Sequence, residues 1–346
     1  MQPNRAEAQA WRGVADLYHD IFLGLVLTVL SRKSEADAAE FVFNILRRQQ
    51  REKFHDGLRK LGIEQDPPAV AAAKYHYLSN KIGGVDVDYM YESDSKAWIR
   101  YAPPRWLWKG VAMCAIPRKV SEAMLWGWHA NNGMMLNRPS VGFVCTKQGV
   151  DAQDGLEGYY CDYGRDLERS ERLRFARGES APAFDPAAAP QLASDDWPAA
   201  RLAKAHRNYA MEYAKSAMLE SVNTFGPIEG EGLMRQACRI VGMQGFRALA
   251  AALGQTDRPL ADFIVALVQA QGDRIDRSGP EAGPTTLTQT GWTLIDRQGD
   301  FLQECRVGYG ELMVGLASGH SRFHNLDCQI GGTEDQSRFA FSLPAC

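Results

Sequence analysis

The sequence lacks a concentration of positive charge. Lysine and arginine total 39 against 42 aspartate and glutamate residues, which gives a formal net charge of −3. The basic residues are scattered along the chain, whereas nucleic-acid-binding proteins gather them on one face. The composition therefore argues against a nucleic-acid partner.

Cysteine pairs are also missing. The seven cysteines are widely spaced, odd in number and contain no CxxC motif. Such spacing is not that of a disulfide framework, and free thiols are typical of a reducing compartment. We therefore expect a cytoplasmic protein.

No apolar run is long enough to cross a membrane. The longest, from Ile21 to Leu30, has ten residues, whereas a membrane-spanning helix needs about 20. The first twenty residues mix charges and lack the layout of a signal peptide. These features predict a buried helix and no membrane association.

The common cofactor motifs are absent. The chain contains no GxxxxGK[ST], GxGxxG, HExxH or GxSxG motif, so nucleotide-dependent chemistry is disfavoured and we expect no cofactor. His320 and His324 stand four apart, a zinc-binding spacing on a helix. From Phe323 onward the sequence favours a strand, in which they would lie about 13 Å apart. A metal site is therefore disfavoured.

One segment has the composition of a linker. Residues 178–200 are rich in alanine and proline, with few large apolar side chains. This predicts an extended linker or a surface excursion. It divides the chain into residues 1–177 and 201–346.

The two halves share a local pattern. At an offset of 192 residues, five of 21 positions are identical without a gap: Arg47, Phe54, Leu61, Gly62 and Pro67 match Arg239, Phe246, Leu253, Gly254 and Pro259. In both halves a helix ends at a glycine suited to a left-handed C-cap. A new helix then begins at a proline. The pattern indicates an internal duplication.

The order of the later elements repeats as well. The first half predicts a strand at Lys96–Tyr101, a helix at 117–132, and a hairpin whose two strands are Ser140–Lys147 and Gly158–Tyr163. The second half predicts a strand at Thr285–Ile295, a helix at Val307–Ser318, and a hairpin whose two strands are His324–Gln329 and Ser337–Ser342. Cys145 and Cys328 take matching hairpin positions. We predict an α+β fold made of two diverged copies of a unit of helices and an antiparallel sheet.

This order of elements resembles the superfamily of the 4-vinyl-reductase-type small-molecule-binding domain. It is also similar to that of the L-2-amino-thiazoline-4-carboxylate hydrolase-like proteins. The resemblance covers most of the folded chain when both halves are counted. It implies an α+β ligand-binding unit and, in some members, a hydrolase of a small ring compound.

Aromatic residues are concentrated in the first half. Five of the eight tryptophans lie between positions 98 and 128. Such side chains form apolar pocket walls with a polar handle, or a core and a homodimer interface. We predict one substrate pocket lined by Trp98, Tyr101, Trp106, Trp126 and Trp128, with Asn131 and Asn132 alongside.

Three groups of residues could carry chemistry. His129 could act as a general acid or base, or could only cap a helix end. Cys145 could be a nucleophile if a neighbour such as Lys147 lowered its pKa, or a small buried apolar residue. Glu229 and Glu231 could stabilise a helix N-terminus, or one could enter a pocket between the halves as a base.

These observations favour an enzyme without a nucleotide cofactor. It would act as a hydrolase or lyase on a small cyclic or aromatic molecule, by acid–base or hydrolytic chemistry. Two alternatives stay open: a non-catalytic small-molecule-binding or sensory module, and a structural protein whose aromatic residues form a homodimer interface.

Overall fold

A computed structural model describes residues 5–103, 108–192, 197–279, 284–295, 301–324, 326–333 and 337–343. These residues form an α+β protein. Its helices are α1 (Arg5–Arg32), α2 (Glu35–Leu61), α3 (Pro68–Ile82), α4 (Arg118–Gly127), α5 (Asn132–Met135), α6 (Ala199–Phe225), α7 (Pro227–Ala252), α8 (Leu260–Gln271) and α9 (Leu302–His320). Its strands are β1 (Val87–Ser93), β2 (Lys96–Tyr101), β3 (Val141–Lys147), β4 (Leu156–Asp162), β5 (Leu173–Phe175), β6 (Arg274–Ser278), β7 (Thr285–Thr290), β8 (Asp327–Gly332) and β9 (Ser337–Leu343).

The chain folds into two compact units. The central unit contains residues 33–198, and the composite unit contains residues 1–32 together with 199–346. Helix α1, which the sequence analysis places in the first copy, therefore belongs to the other unit, where it packs along α6 and α7. It is apolar around most of its circumference and so needs neighbours on several sides.

Helix α1 also has the length and composition of a membrane-spanning helix. Within the protein, however, 72% of its most apolar 18-residue window is buried. The expected short buried helix is thus part of a longer one.

The two sheets repeat one strand order. The central sheet runs β1-β2-β4-β3-β5, and the composite sheet runs β6-β7-β9-β8. All neighbouring strands are antiparallel except β3 and β5. Because corresponding strands take the same places, the two-copy α+β fold is confirmed.

The 192-residue offset is visible in the backbone. The turn after α2 and the turn after α7 both have a glycine with φ of +67°, at Gly62 and at Gly254. The two glycine N–H groups donate to equivalent carbonyls, three residues earlier, at 3.1 and 3.2 Å. A left-handed backbone favours glycine because it has no Cβ.

The packing at this corner repeats too. Phe54 meets the ring of Tyr75 on α3 edge-on, with centroids 4.7 Å apart. Phe246 meets Phe263 on α8 edge-on at 4.9 Å. The two phenylalanines therefore occupy equivalent places, as the offset predicts.

The alanine- and proline-rich segment lies on the central sheet. The outer face of the central sheet carries a cluster formed by Met90, Trp98, Val144 and Tyr159. Ala181 and Phe184 of the segment pack against this cluster. Within the described part of the segment, the surface excursion describes it better than the free linker. The inner face of the sheet lies against the helices.

Candidate functional site

A network of buried polar side chains lies between the helices and the inner face of the central sheet. Its members come from six places in the chain and are each at most 4% exposed: Gln50, His76, Tyr101, His129, Asn132 and Tyr160. Buried polar atoms are costly unless they bond to one another. The directions of these bonds can be worked out from the ends of the network.

At one end of the network, the hydrogen-bond directions are fixed by groups that can only donate or only accept. Arg47 can only donate, and its Nη1 lies 3.1 Å from Oε1 of Gln50. The carbonyl oxygen of Trp128 can only accept, and it receives Nε2 of Gln50 at 2.8 Å. The same Nε2 donates to Oδ1 of Asn132 at 2.5 Å. Both amides are therefore oriented.

The orientation of Asn132 sets the tautomer of His76. Nδ2 of Asn132 donates to the Tyr160 hydroxyl at 2.9 Å and to Nε2 of His76 at 3.1 Å. Since Nε2 accepts, a neutral His76 carries its proton on Nδ1, which donates to the Tyr101 hydroxyl at 2.9 Å. The Tyr101 hydroxyl proton is then directed at Nε2 of His129, 3.5 Å away.

Ring stacking holds the same groups. The imidazoles of His76 and His129 are 4.3 Å apart and 18° from parallel. The Tyr160 ring stacks at 5.7 Å from His76, and burial raises its pKa well above the usual value. Tyr160 therefore stays protonated. The network joins α2, α3 and α5 to β2 and β4.

The structure thus brings together three residues singled out in the sequence: Tyr101, His129 and Asn132. Asn131 lies at the edge of the network and donates to Oε1 of Gln50 at 2.9 Å. Gln50 and His76 are not predicted from the sequence; the available signal for His76 is a histidine on the buried face of the alanine-rich helix α3. A proton-transfer role for His129 stays a prediction.

Two of the residues predicted to line one aromatic pocket lie on opposite faces of the central sheet. Trp98 lies on the outer face of the sheet, 4.5 Å from the Tyr159 ring, whereas Tyr101 lies on the inner face in the network. Side chains alternate along a strand, so residues three apart point to opposite faces. The prediction that these two rings share one pocket is therefore wrong.

The other tryptophans separate as well. Trp128 is buried beside the Tyr75 ring, 6.1 Å away. Trp126 is half-buried and lines, with Phe43, a surface groove of about 730 Å³. Trp106 lies outside the described residues. Closeness in sequence does not place these side chains in one cavity.

Cys145 lacks the surroundings of a nucleophile. Burial raises the pKa of its thiol to about 12, and the thiol donates to the carbonyl oxygen of Lys147 at 3.4 Å. The Lys147 ammonium pairs instead with Asp154 at 3.2 Å and Glu157 at 3.5 Å. The thiolate is therefore rare near neutral pH, and Cys145 matches the small buried apolar alternative.

Glu229 and Glu231 lie near the N-terminus of α7 in the composite unit. Glu229 is exposed in the first turn, and Glu231 forms an ion pair with Arg235 at 2.9 Å. A carboxylate at a helix N-terminus is stabilised by the helix dipole. Their use as a base stays a prediction.

His320 and His324 are closer than expected. The helix α9 extends to His320 and β8 begins only at Asp327, so the two rings lie 4.8 Å apart. The expected separation of about 13 Å is therefore wrong. His320 Nε2 bonds to the carbonyl of Arg258 at 3.0 Å. Among the described residues, no three possible ligands gather around a metal position.

A cleft of about 590 Å³ lies beside β1, and we refer to it as the β1 cleft. Its apolar lining is Pro67, Val70, Met90, Pro182, Ala183, Ala188 and Pro190; its polar and aromatic lining is Asp66, Lys74, Tyr89, Tyr91, Asp94 and Asp185. The walls come from three chain segments: the start of α3, strand β1 and residues 182–190.

The sheet order explains where the β1 cleft lies. Strand β1 is at the edge of its sheet and pairs with β2 alone among the described strands. Tyr89 and Tyr91 are on its inner face, near α3, and Met90 is on its outer face. The cleft therefore follows the free edge and contacts both faces of the strand.

The polar groups of the β1 cleft differ in how well they are bonded. Lys74 pairs with Asp66 at 2.9 Å, and the Tyr91 hydroxyl donates to Asp94 at 2.8 Å. Tyr89 is 4% exposed, yet its hydroxyl has no hydrogen-bond partner in the described part of the chain. Burial, reinforced by Asp66, raises the pKa of Tyr89. Its hydroxyl is therefore neutral.

The comparisons with known proteins give little. No protein-family model and no curated sequence matches the chain. Among solved structures, a point mutant of the T. tengcongensis H-NOX protein is 12% identical, with a TM-score of 0.26, over 39% of this chain and 73% of that one. An oxygen-binding H-NOX domain related to soluble guanylate cyclases is 11% identical, with a TM-score of 0.27, over 39% and 71%. Scores this low do not indicate a shared fold.

Proposed function

We propose that the central unit is a small-molecule-binding module and that the β1 cleft is its ligand site. The observation that carries this proposal is that Tyr89 lines a cleft of about 590 Å³ and that its buried hydroxyl has no hydrogen-bond partner in the described part of the chain. Pockets for small ligands are typically about 300–1,000 Å³, with mostly apolar walls and a few polar groups. A buried polar group without a partner costs about 1–3 kcal/mol. A ligand that bonds to Tyr89 would recover part of this cost.

Binding is favoured over catalysis by the positions of the reactive groups. His129 belongs to the buried network, where it contacts Tyr101, His76 and other aromatic rings. Cys145 is a protonated thiol at neutral pH. Neither residue lines the β1 cleft. The non-catalytic binding or sensory alternative therefore fits this site better than a hydrolase or lyase.

The resemblance noted in the sequence is part of this proposal. The element order of each half resembles that of the 4-vinyl-reductase-type small-molecule-binding domain. We propose that ligand binding, rather than hydrolysis of a ring compound, is the property that this chain has in common with that superfamily.

A cleft-filling variant tests the proposal. Ala188 is exposed and lines the β1 cleft, whereas Ala187, which is also exposed, is not among its lining residues. We expect ligand-observed NMR with a fragment set of mixed charge to find binders that Ala188→Trp abolishes and Ala187→Trp retains. Fragments that bind both variants equally would show that the cleft is not the ligand site.

A further inference from the structure

We infer that the ligand of the β1 cleft is an organic ammonium ion with an apolar body. This inference rests on the proposed function and adds the charge of the ligand. Three independent features of the cleft carry it: the excess of carboxylates, two tyrosine rings on one face of a strand, and the Tyr89 hydroxyl, which has no partner among the described residues.

The charges of the β1 cleft favour a cation. Three carboxylates line it against one ammonium group, and that ammonium, on Lys74, is already paired with Asp66. Asp94 and Asp185 each accept a bond from a neutral donor, the Tyr91 hydroxyl and the Ala187 backbone N–H. Among the described residues, no lysine, arginine or histidine lies within ion-pair distance of either. An anionic ligand would meet two uncompensated negative charges.

The aromatic rings favour the same charge. Tyr89 and Tyr91 are two apart on β1 and therefore project from the same face. Tyr91 is 56% exposed, so its ring is open to a ligand. A cation over a tyrosine face gains about 0.5–1 kcal/mol at an exposed site.

The Tyr89 hydroxyl supplies a hydrogen-bond acceptor for the ammonium N–H. A tyrosine hydroxyl has acceptor lone pairs as well as one donor, and this one has no partner in the described part of the chain. Val70, Met90 and the prolines of residues 182–190 offer apolar contact for the remainder of the molecule. An ammonium group joined to a ring or short hydrocarbon matches this combination.

Three probes of nearly equal shape test the charge. We expect NMR titration at neutral pH to show that benzylammonium binds about 3- to 30-fold more tightly than benzyl alcohol, with benzoate weakest, since cation–π and carboxylate contacts add. Added salt should weaken benzylammonium binding through screening. Ala188→Trp should remove it, and Ala187→Trp should not.

Substitutions of residues that line the β1 cleft should change the affinity for benzylammonium in opposite directions. Lys74→Met releases Asp66 and should raise the affinity for benzylammonium about two- to fivefold, whereas Asp94→Asn should lower it by a similar factor. Tyr91→Leu removes the ring and should lower the affinity about two- to fivefold. Tyr91→Phe keeps the ring and should not weaken binding.

The outcomes separate the two proposals. If benzylammonium binds no more tightly than benzyl alcohol, or if Lys74→Met weakens its binding, the inferred charge is wrong. Neutral or anionic fragments that Ala188→Trp displaces would then still support a ligand site in the β1 cleft. If Ala188→Trp displaces no fragment of any charge, the proposed function itself fails.

Discussion

Replacing Asn132 with alanine removes the centre of the buried network. The amide accepts one hydrogen bond from Gln50 and donates one each to His76 and Tyr160. The side chain is fully buried, so water cannot take over these roles. Gln50 keeps its bond to the Trp128 carbonyl, whereas His76 and Tyr160 each lose a donor.

The expected cost follows from these three bonds. A buried hydrogen bond contributes about 1 kcal/mol, and a polar atom left unsatisfied costs about 1–3 kcal/mol. We expect Asn132→Ala to lower the free energy of unfolding of the central unit by about 3–5 kcal/mol. The neighbouring Asn131→Ala removes a single half-buried bond to Gln50, which still binds Arg47. It should cost about 1 kcal/mol.

Urea unfolding followed by tryptophan fluorescence measures this difference. The signal comes largely from the central unit because most of the tryptophans lie there. The comparison is valid if the free energy of unfolding falls with urea concentration at the same slope in all variants. An Asn132→Ala protein no less stable than Asn131→Ala would refute the stabilising role assigned to the three buried hydrogen bonds of Asn132.

Three further outcomes are expected. Iodoacetamide at pH 8 should modify the exposed Cys114 and spare Cys145 in the folded protein, because a thiol with a pKa of about 12 has almost no thiolate; peptide mass spectrometry showing equal labelling would contradict this. The Arg165 guanidinium and a backbone N–H lower the pKa of the partly exposed Glu171 from 4.5 to about 2. A carboxyl of lowered pKa stabilises the fold above its unfolded pKa, and this contribution is lost as pH falls from about 4.5 to 2. Glu171→Gln should remove that part of the pH dependence of unfolding, and an unchanged profile would disprove the pairing. Gly254→Ala should destabilise the composite unit by about 1 kcal/mol in thermal unfolding, because alanine disfavours a φ of +67°; an unchanged midpoint would argue against the left-handed cap.

The duplication could be predicted from the sequence because its signals are local. A glycine that ends one helix and a proline that begins the next specify their own turn, so Gly62 and Pro67 mark the same corner as Gly254 and Pro259. The observed bounds of strand β2, Lys96–Tyr101, also follow from a local signal, since prolines at 103 and 104 mark its end in the sequence.

Features that depend on distant packing could not be predicted. Helix α1 joins the composite unit because helices more than 160 residues away supply its apolar neighbours. The β1 cleft combines three segments, around positions 70, 90 and 185, and no local pattern marks them as neighbours. His76 was missed because its partners come from four other elements.

The separation of Trp98 from Tyr101 has a reason that the sequence already contained. Trp98 and Tyr101 are three apart on one strand, so they must face opposite ways. The local density of tryptophan reflects two separate cores and a surface groove, formed on different sides of the sheet and of α4.

The most direct test of a ligand site in the β1 cleft is a crystal structure of the protein with benzylammonium at a saturating concentration. We expect the probe to lie between the Tyr89 and Tyr91 side chains and residues 182–190, with its nitrogen near Asp94 or Asp185. Density for the probe in the groove beside Trp126, with the β1 cleft holding only solvent, would contradict the assignment.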